Sequence, residues 1–364
     1  MGRRIPEVDI LKGLCIVTIV ASHAGYGILW FSYVFVYGFY FVAGYTYSRK
    51  PLGQFVRGKL VRLYLPFVVA HLISIPVYAL QHVVSGGTYS VITDAGYLLD
   101  ILLFDAAGGI TAAAWYLFPM VVVLFLFYFL SGALGAKGVG VLSLVAYAAL
   151  AALPGHALEF TWNDCAWVVN VIVGLLLFSA GYLLRHSDGV EEFLFGGTRA
   201  VDLFVVDCMV LLVIYKSGYG MEIRAGRIPN YALNTLILVF GMHFLWFFSR
   251  IIARSSLAAR AASLAGRCSL QIMLYHVMCF FPSTMIVRAL YGLSWPQTWA
   301  RNYSDGLATV LNMAFGLVIP IFGTILMERF RRWHGQRAEG RGPDQAVSAA
   351  ELSGSGDSTV RTKR

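Results

Sequence analysis

The sequence predicts an all-α integral membrane protein, a bundle of about ten transmembrane helices with both termini cytoplasmic. Two properties of the whole chain carry this reading. Of its 364 residues 58% are apolar and only 13% charged, and the mean hydropathy is +0.69. A soluble domain carries about 25% charged residues, so half that share does not cover a water-facing surface. The third observation is a lopsided placement of charge, taken up below.

An apolar run of about 20 residues crosses the hydrocarbon core as a helix. Such runs fall near 9–28, 31–48, 61–81, 114–134, 138–153, 165–184, 200–216, 231–249, 268–288 and 305–327. The fifth and seventh are short. The first begins after Arg3 and Arg4, carries Lys12 and His23, and leads into further runs, so it reads as a retained helix and not a cleaved leader. Between the third and fourth lies Gly-rich Ser85–Ala113 with Asp94, Asp100 and Asp105, whose Tyr97–Phe104 part suits a short interfacial helix. From about Gly335 the composition turns to Gly, Ser, Ala and mixed charge. The reading is a membrane domain over 1–330 and a disordered cytoplasmic tail over 331–364.

Lys and Arg outnumber Asp and Glu by 28 to 19. In so apolar a chain that excess marks cytoplasmic loops, not nucleic acid. With the N-terminus inside, the inner loops hold Arg49, Lys50, Arg57, Lys59 and Arg62, then Lys137, then Arg185 and Arg199, then Arg250, Arg254, Arg260 and Arg267. Outer loops 82–113 and 154–164 have neither Lys nor Arg, and Lys216, Arg224, Arg227, Arg288 and Arg301 form the outer minority. The five cysteines form no CxxC pair and mostly sit in apolar runs, so they suit packing better than a disulfide framework or a zinc site.

Polar groups at membrane depth are costly and therefore candidates for function. Lys12 and His23 are eleven positions apart in "EVDILKGLCIVTIVASHAGYG". At 100° per residue that is about three turns plus 20°, which puts both on one helix face, roughly 16 Å apart along the axis. Lys12 stands at the inner end, where it reaches the headgroups; His23 is too deep for that. His23 reads either as a core histidine bonded to a neighbouring helix or as a base, since imidazole titrates near neutral pH. In "RKPLGQFVRGKLVRLYLP", Lys59 and Arg62 are expected on the opening turn of the third helix, with Arg57 just before. Cations beside free amides at a helix N-terminus bind phosphate or another anion; the plainer reading is a positive-inside anchor. Trp115 and Tyr116 suit an outer aromatic belt, and Tyr275 and His276 lie inside the ninth run. Trp115, Tyr275 and His276 are candidates for acceptor contact or simply for core polar bridging. His71 and His243 read as packing residues, and Asp202 and Asp207 have no obvious sequence partner.

Four segments in order carry a resemblance: "IPEVDILKGLCIVTIVASH", "FYFVAGYTYSR", "FVRGKLVRLYLPF" and "CSLQIMLYHVM", with "AWYLFPMVVVLF" between the third and fourth. Together they resemble the acyltransferase-3 family of integral membrane O-acyltransferases, especially its fucose 4-O-acetylase-like branch, across residues 5–328. The family's arginine–histidine pair on the first helix appears here as Lys12 and His23, and its Arg-x-x-Arg as Lys59-Leu-Val-Arg62. Charge is kept at both departures, while the bidentate geometry of arginine is lost.

The resemblance implies transfer of an acyl group, most often acetyl from acetyl-CoA, to a hydroxyl of a sugar, glycan or glycosylated natural product. It implies CoA phosphates on Lys59, Arg62 and Arg57, and a pantetheine arm running beside the first helix. His23 would be base or acyl carrier, and Lys12, oriented by Asp9, would hold or polarise the donor. Acyl-CoA is then a co-substrate; no bound cofactor and no metal is expected. The expected setting is a bacterial plasma membrane, and the expected partners are acyl-CoA, the acceptor and the bilayer. A transporter or flippase for a glycan or lipid-linked sugar is the alternative, but matched broken repeats, its usual mark, are not visible.

Overall fold

The computed structural model describes residues 5–25, 32–85, 99, 101–102, 109–153, 166–221, 224, 226–293 and 306–338. Among them the secondary structure is helical, with no strand. By contacts the chain forms two units, Met1–Pro320 and Ile321–Arg364.

The elements are α1 (Pro6–His23), α2 (Ser32–Tyr45), α3 (Leu52–Lys59), a π-helical turn (Leu60–Tyr64), α4 (Leu65–Ser85), a 3₁₀ segment (Gly109–Tyr116), α5 (Leu117–Ala152), α6 (Trp167–His186), α7 (Val190–Phe195), α8 (Gly197–Lys216), α9 (Tyr231–Ala253), α10 (Ser256–Arg267), α11 (Ser269–Tyr275), α12 (Phe280–Tyr291) and α13 (Gly306–Ala338). Five described helices are long and apolar enough to cross a membrane: Leu52–Leu80, Ala113–Ala152, Trp167–His186, Tyr231–Ala253 and Gly306–His334. A sixth span follows if α11 and α12, bent by 50° at their break, count as one. The chain is therefore a multipass membrane protein.

One of these helices is two arms. Ala113–Ala152 is 40 residues, which at 1.5 Å per residue is about 60 Å, twice the hydrocarbon thickness. Its break is at Gly135, where φ is 70° and ψ is 163°, a conformation that a side chain disfavours. The chain reverses there. Phe118 packs on Trp167, and Phe127 on Phe178 and Tyr182, while beyond the break Gly140 lies against Ser179 and Leu183. The first arm thus runs along α6, and the second returns to its C-terminal half.

Two glycine crossings set the inner architecture. A Cβ at Gly44 would collide with the Phe178 carbonyl, and one at Gly181 with that of Phe41, so α2 and α6 touch backbone to backbone. In the same way Gly13 faces the Ala262 carbonyl and Gly266 that of Asp9, joining α1 to α10. Such small-residue contacts replace hydrophobic burial as the basis of helix association in lipid.

Some boundaries depart from the sequence reading. The third helix starts at Leu52, after Pro51, not near residue 61, because nothing between Gln54 and Tyr64 forbids helix and Gly58 is tolerated. Inner-loop residues 256–267 form α10, whose Ala-rich "SLAARAASLAGR" has high helix propensity despite its arginines. The last helix continues to Ala338, past residue 330. Within the second unit, Arg332 pairs with Glu328 at 3.5 Å and Phe330 packs on His334. The Tyr97–Phe104 helix, the outer loop 154–164 and the tail from 339 fall largely or wholly outside the described residues.

Asp207, without a sequence partner, has one in space. Its carboxylate bonds His243 Nδ1, and His243 Nε2 reaches the Leu194 carbonyl at 3.1 Å. Through these two contacts the imidazole ties α9 to α8 and to the end of α7. His71 is a packing residue, fully buried, with Nδ1 on the Phe67 carbonyl at 2.9 Å.

Candidate active site

The basic inner segment builds a cavity. Its volume is about 840 Å³, and it lies between α1, α2, the α3–α4 helix, α5 and the α10–α11 junction. Six cationic side chains line it: Lys12, Lys50, Arg57, Lys59, Arg62 and Arg267. Asp9 is its one acidic lining residue. Five of the residues singled out from sequence, Asp9, Lys12, Arg57, Lys59 and Arg62, thus come together in one chamber. Lys12 and Asp9 stand at i and i−3 with Nζ and Oδ1 3.9 Å apart, at the outer limit of an ion pair.

The source of the anion-attracting field differs from the expected one. Lys59 and Arg62 do not open a helix; they flank the start of the π-helical turn, more than one turn past Pro51. The amides near them are spent on helical bonds, such as Leu65 N–H to the Leu60 carbonyl. The attraction comes from side-chain charge, gathered by a π turn that resets the register of Arg62 against Lys59. Lys59 also lies over the Phe55 ring, at 5.4 Å, within cation–π range.

Aromatic and apolar side chains also line the cavity. Tyr116, expected in an outer belt, is buried and lines the cavity with Met120 and Leu124, its ring packed on Phe39 at 5.9 Å. Trp115 and Tyr275 are part-exposed and are not among the lining residues. Lys50 and Arg267 were visible in sequence only as loop charges. Arg267 becomes a site residue because the Gly13–Gly266 crossing carries the end of α10 to the cavity beside α1.

His23 lies at the far end of α1, roughly 16 Å from Lys12 by helical rise, and it meets His276. His23 Nδ1 and His276 Nε2 are 2.8 Å apart, and the rings stack with centroids 5.0 Å apart. His276 is fully buried, and its Nδ1 bonds the Ile272 carbonyl at 2.7 Å. His276 stands just past the end of α11, as the first residue of the turn 276–279. Gly316 of α13 packs against His276, Phe280 and Val20, and buried Thr309 and Asn312 lie on the same helix. Ser283 bonds Asn312 close by in sequence to the bend. The site thus has a basic chamber at one end of α1 and an imidazole pair at the other. Among the described residues no group of three or more His, Cys, Asp or Glu is arranged to hold a metal.

A multipass helical protein with a polycationic chamber at one end of its first helix and a histidine pair at the other is the class that fold and site define. A family model described as an acyltransferase domain matches residues 5–329, and the chain belongs to that family, acyltransferase-3. It is therefore a membrane acyltransferase in general terms. No curated protein and no solved structure matches the chain.

Proposed function

We propose that the protein transfers an acyl group, acetyl by preference, from cytoplasmic acyl-CoA to a hydroxyl of a sugar, glycan or glycosylated natural product. The observation that carries this reading is the cavity, where six cations face one carboxylate. A nucleotide phosphate cluster is the donor part that demands such a chamber. The flexible thioester arm then runs beside α1 toward His23.

At His23 the acceptor hydroxyl gives its proton to the imidazole, and its oxygen attacks the thioester carbonyl carbon. The C–S bond breaks, and the thiolate of CoA recovers the proton from the imidazolium. Lys12, held near Asp9, fixes the donor at the inner end. In the same reading the bundle has about ten spans, counting α1, α2, α8 and both arms of α5, with both termini on the cytoplasmic side of a bacterial plasma membrane. A glycan transporter is not favoured, because family membership points to group transfer.

The test is acyl-CoA turnover by purified protein in detergent with a panel of sugar acceptors. His23→Ala is expected to abolish transfer while the protein still inserts and elutes as a single species. Unchanged acceptor acylation in that variant removes His23 from the chemistry.

A further inference from the structure

We propose that His276 is the positioning residue that sets the tautomer of His23, an inference that rests on His23 being the base of the transfer above. The argument begins at the Ile272 carbonyl. It accepts the His276 backbone N–H at 2.9 Å and faces His276 Nδ1 at 2.7 Å. A carbonyl has no proton to give, so the proton of that bond sits on Nδ1 of His276. His276 is fully buried, which disfavours a charge on the ring. Its other nitrogen, Nε2, therefore holds a lone pair.

That lone pair lies 2.8 Å from His23 Nδ1. Two ring nitrogens at this distance share one proton, and it belongs to His23 Nδ1, donated to His276 Nε2. Neutral His23 then carries its basic lone pair on Nε2. One backbone carbonyl thus fixes the state of two rings in series.

The same geometry serves the charged state. When His23 takes a proton on Nε2, its Nδ1–H keeps the bond to His276, which stabilises the imidazolium without moving a heavy atom. A carboxylate in the place of His276 would do this too, but it would bury an anion at membrane depth. A second imidazole orients the first without that cost. The break after α11 makes the arrangement possible: the chain turns at residues 276–279, and Gly316 leaves room for His276 against α13.

The experiment compares His276→Asn with His276→Gln in purified protein. Asn keeps an amide near the Nδ1 position but does not reach His23; Gln places its amide oxygen where Nε2 sits. The Asn variant is expected to lose about a hundredfold in kcat, the scale of proton transfer by a well-placed base. Its KM for acetyl-CoA should stay within about twofold, since donor binding is untouched. The Gln variant should recover about tenfold of that loss, because an acceptor again faces His23 Nδ1–H. A wild-type kcat in the Asn variant, or a Gln variant as slow as Asn, overturns the proposal. His23→Ala run in parallel separates the two claims: an active His23→Ala removes the base itself, whereas an inactive one beside an unaffected His276→Asn removes only the tautomer role.

Discussion

Lys59 and Arg62 stand three positions apart, one just before a π-helical turn and one within it, and both line the chamber that Lys12 enters from α1. Their charge was legible in the sequence; their setting was not, because a π turn has no composition of its own. Replacing both with Ala should raise the KM for acyl-CoA about tenfold, equivalent to about 1.4 kcal/mol of binding. Lys59→Arg should lower it, since a planar fork grips phosphate by two bonds. Steady-state kinetics with donor and acceptor varied separately checks both. A change confined to acceptor kinetics would mean that the chamber does not hold the donor. His23 shows the opposite case. Its distance along α1 from Lys12 was readable from helical spacing, whereas its contact with His276 spans 253 positions and no local pattern announces it.

At the level of elements, contact between α2 and α6 depends on glycines. Gly44 and Gly181 each meet the other helix's backbone with no room for a methyl group. Gly44→Val should therefore force the helices apart and destabilise the protein by about 1–3 kcal/mol, the usual range for overpacking. Gly53, which has open space around it, is the control, and Gly53→Val should melt close to wild type. Thermal unfolding in detergent reads both, and equal melting points would show that the α2–α6 crossing adjusts freely. Apolar periodicity was enough to find most of the long helices, since membrane solvent imposes a minimum length. It did not find α10, because two arginines among alanines look like a loop in a hydropathy window. Nor did it find the union of α3 with α4, where Pro51 and not the basic cluster marks the start.

For the whole molecule, charge asymmetry argues for an orientation, and the fold gathers that charge into the chamber. The cavity lies at the end of the bundle where Lys12, Arg57, Lys59, Arg62 and Arg267 gather, the end that the positive-inside rule assigns to the cytoplasm. A reporter active only in the cytoplasm should therefore function when fused after Arg364, and one inserted in the outer loop at 154–164 should not. Activity at the loop and silence at the tail would invert the topology and put the donor chamber on the wrong side for cytoplasmic acyl-CoA.

The sequence by itself determined that the chain is helical and membrane-embedded, which end of it is basic, and which family motifs it carries. These are local or summed properties, fixed by transfer free energy and by residue type at short spacing. Only the tertiary structure decided that Asp207 pairs with His243, that Arg267 and Lys50 join Lys59 and Arg62 in one chamber, and that His23 meets His276. Each of these depends on which helices touch. That choice rests on shape at the Gly13–Gly266 and Gly44–Gly181 crossings and on the reversal at Gly135, where the decisive feature is the absence of a side chain, which a hydropathy scale does not register.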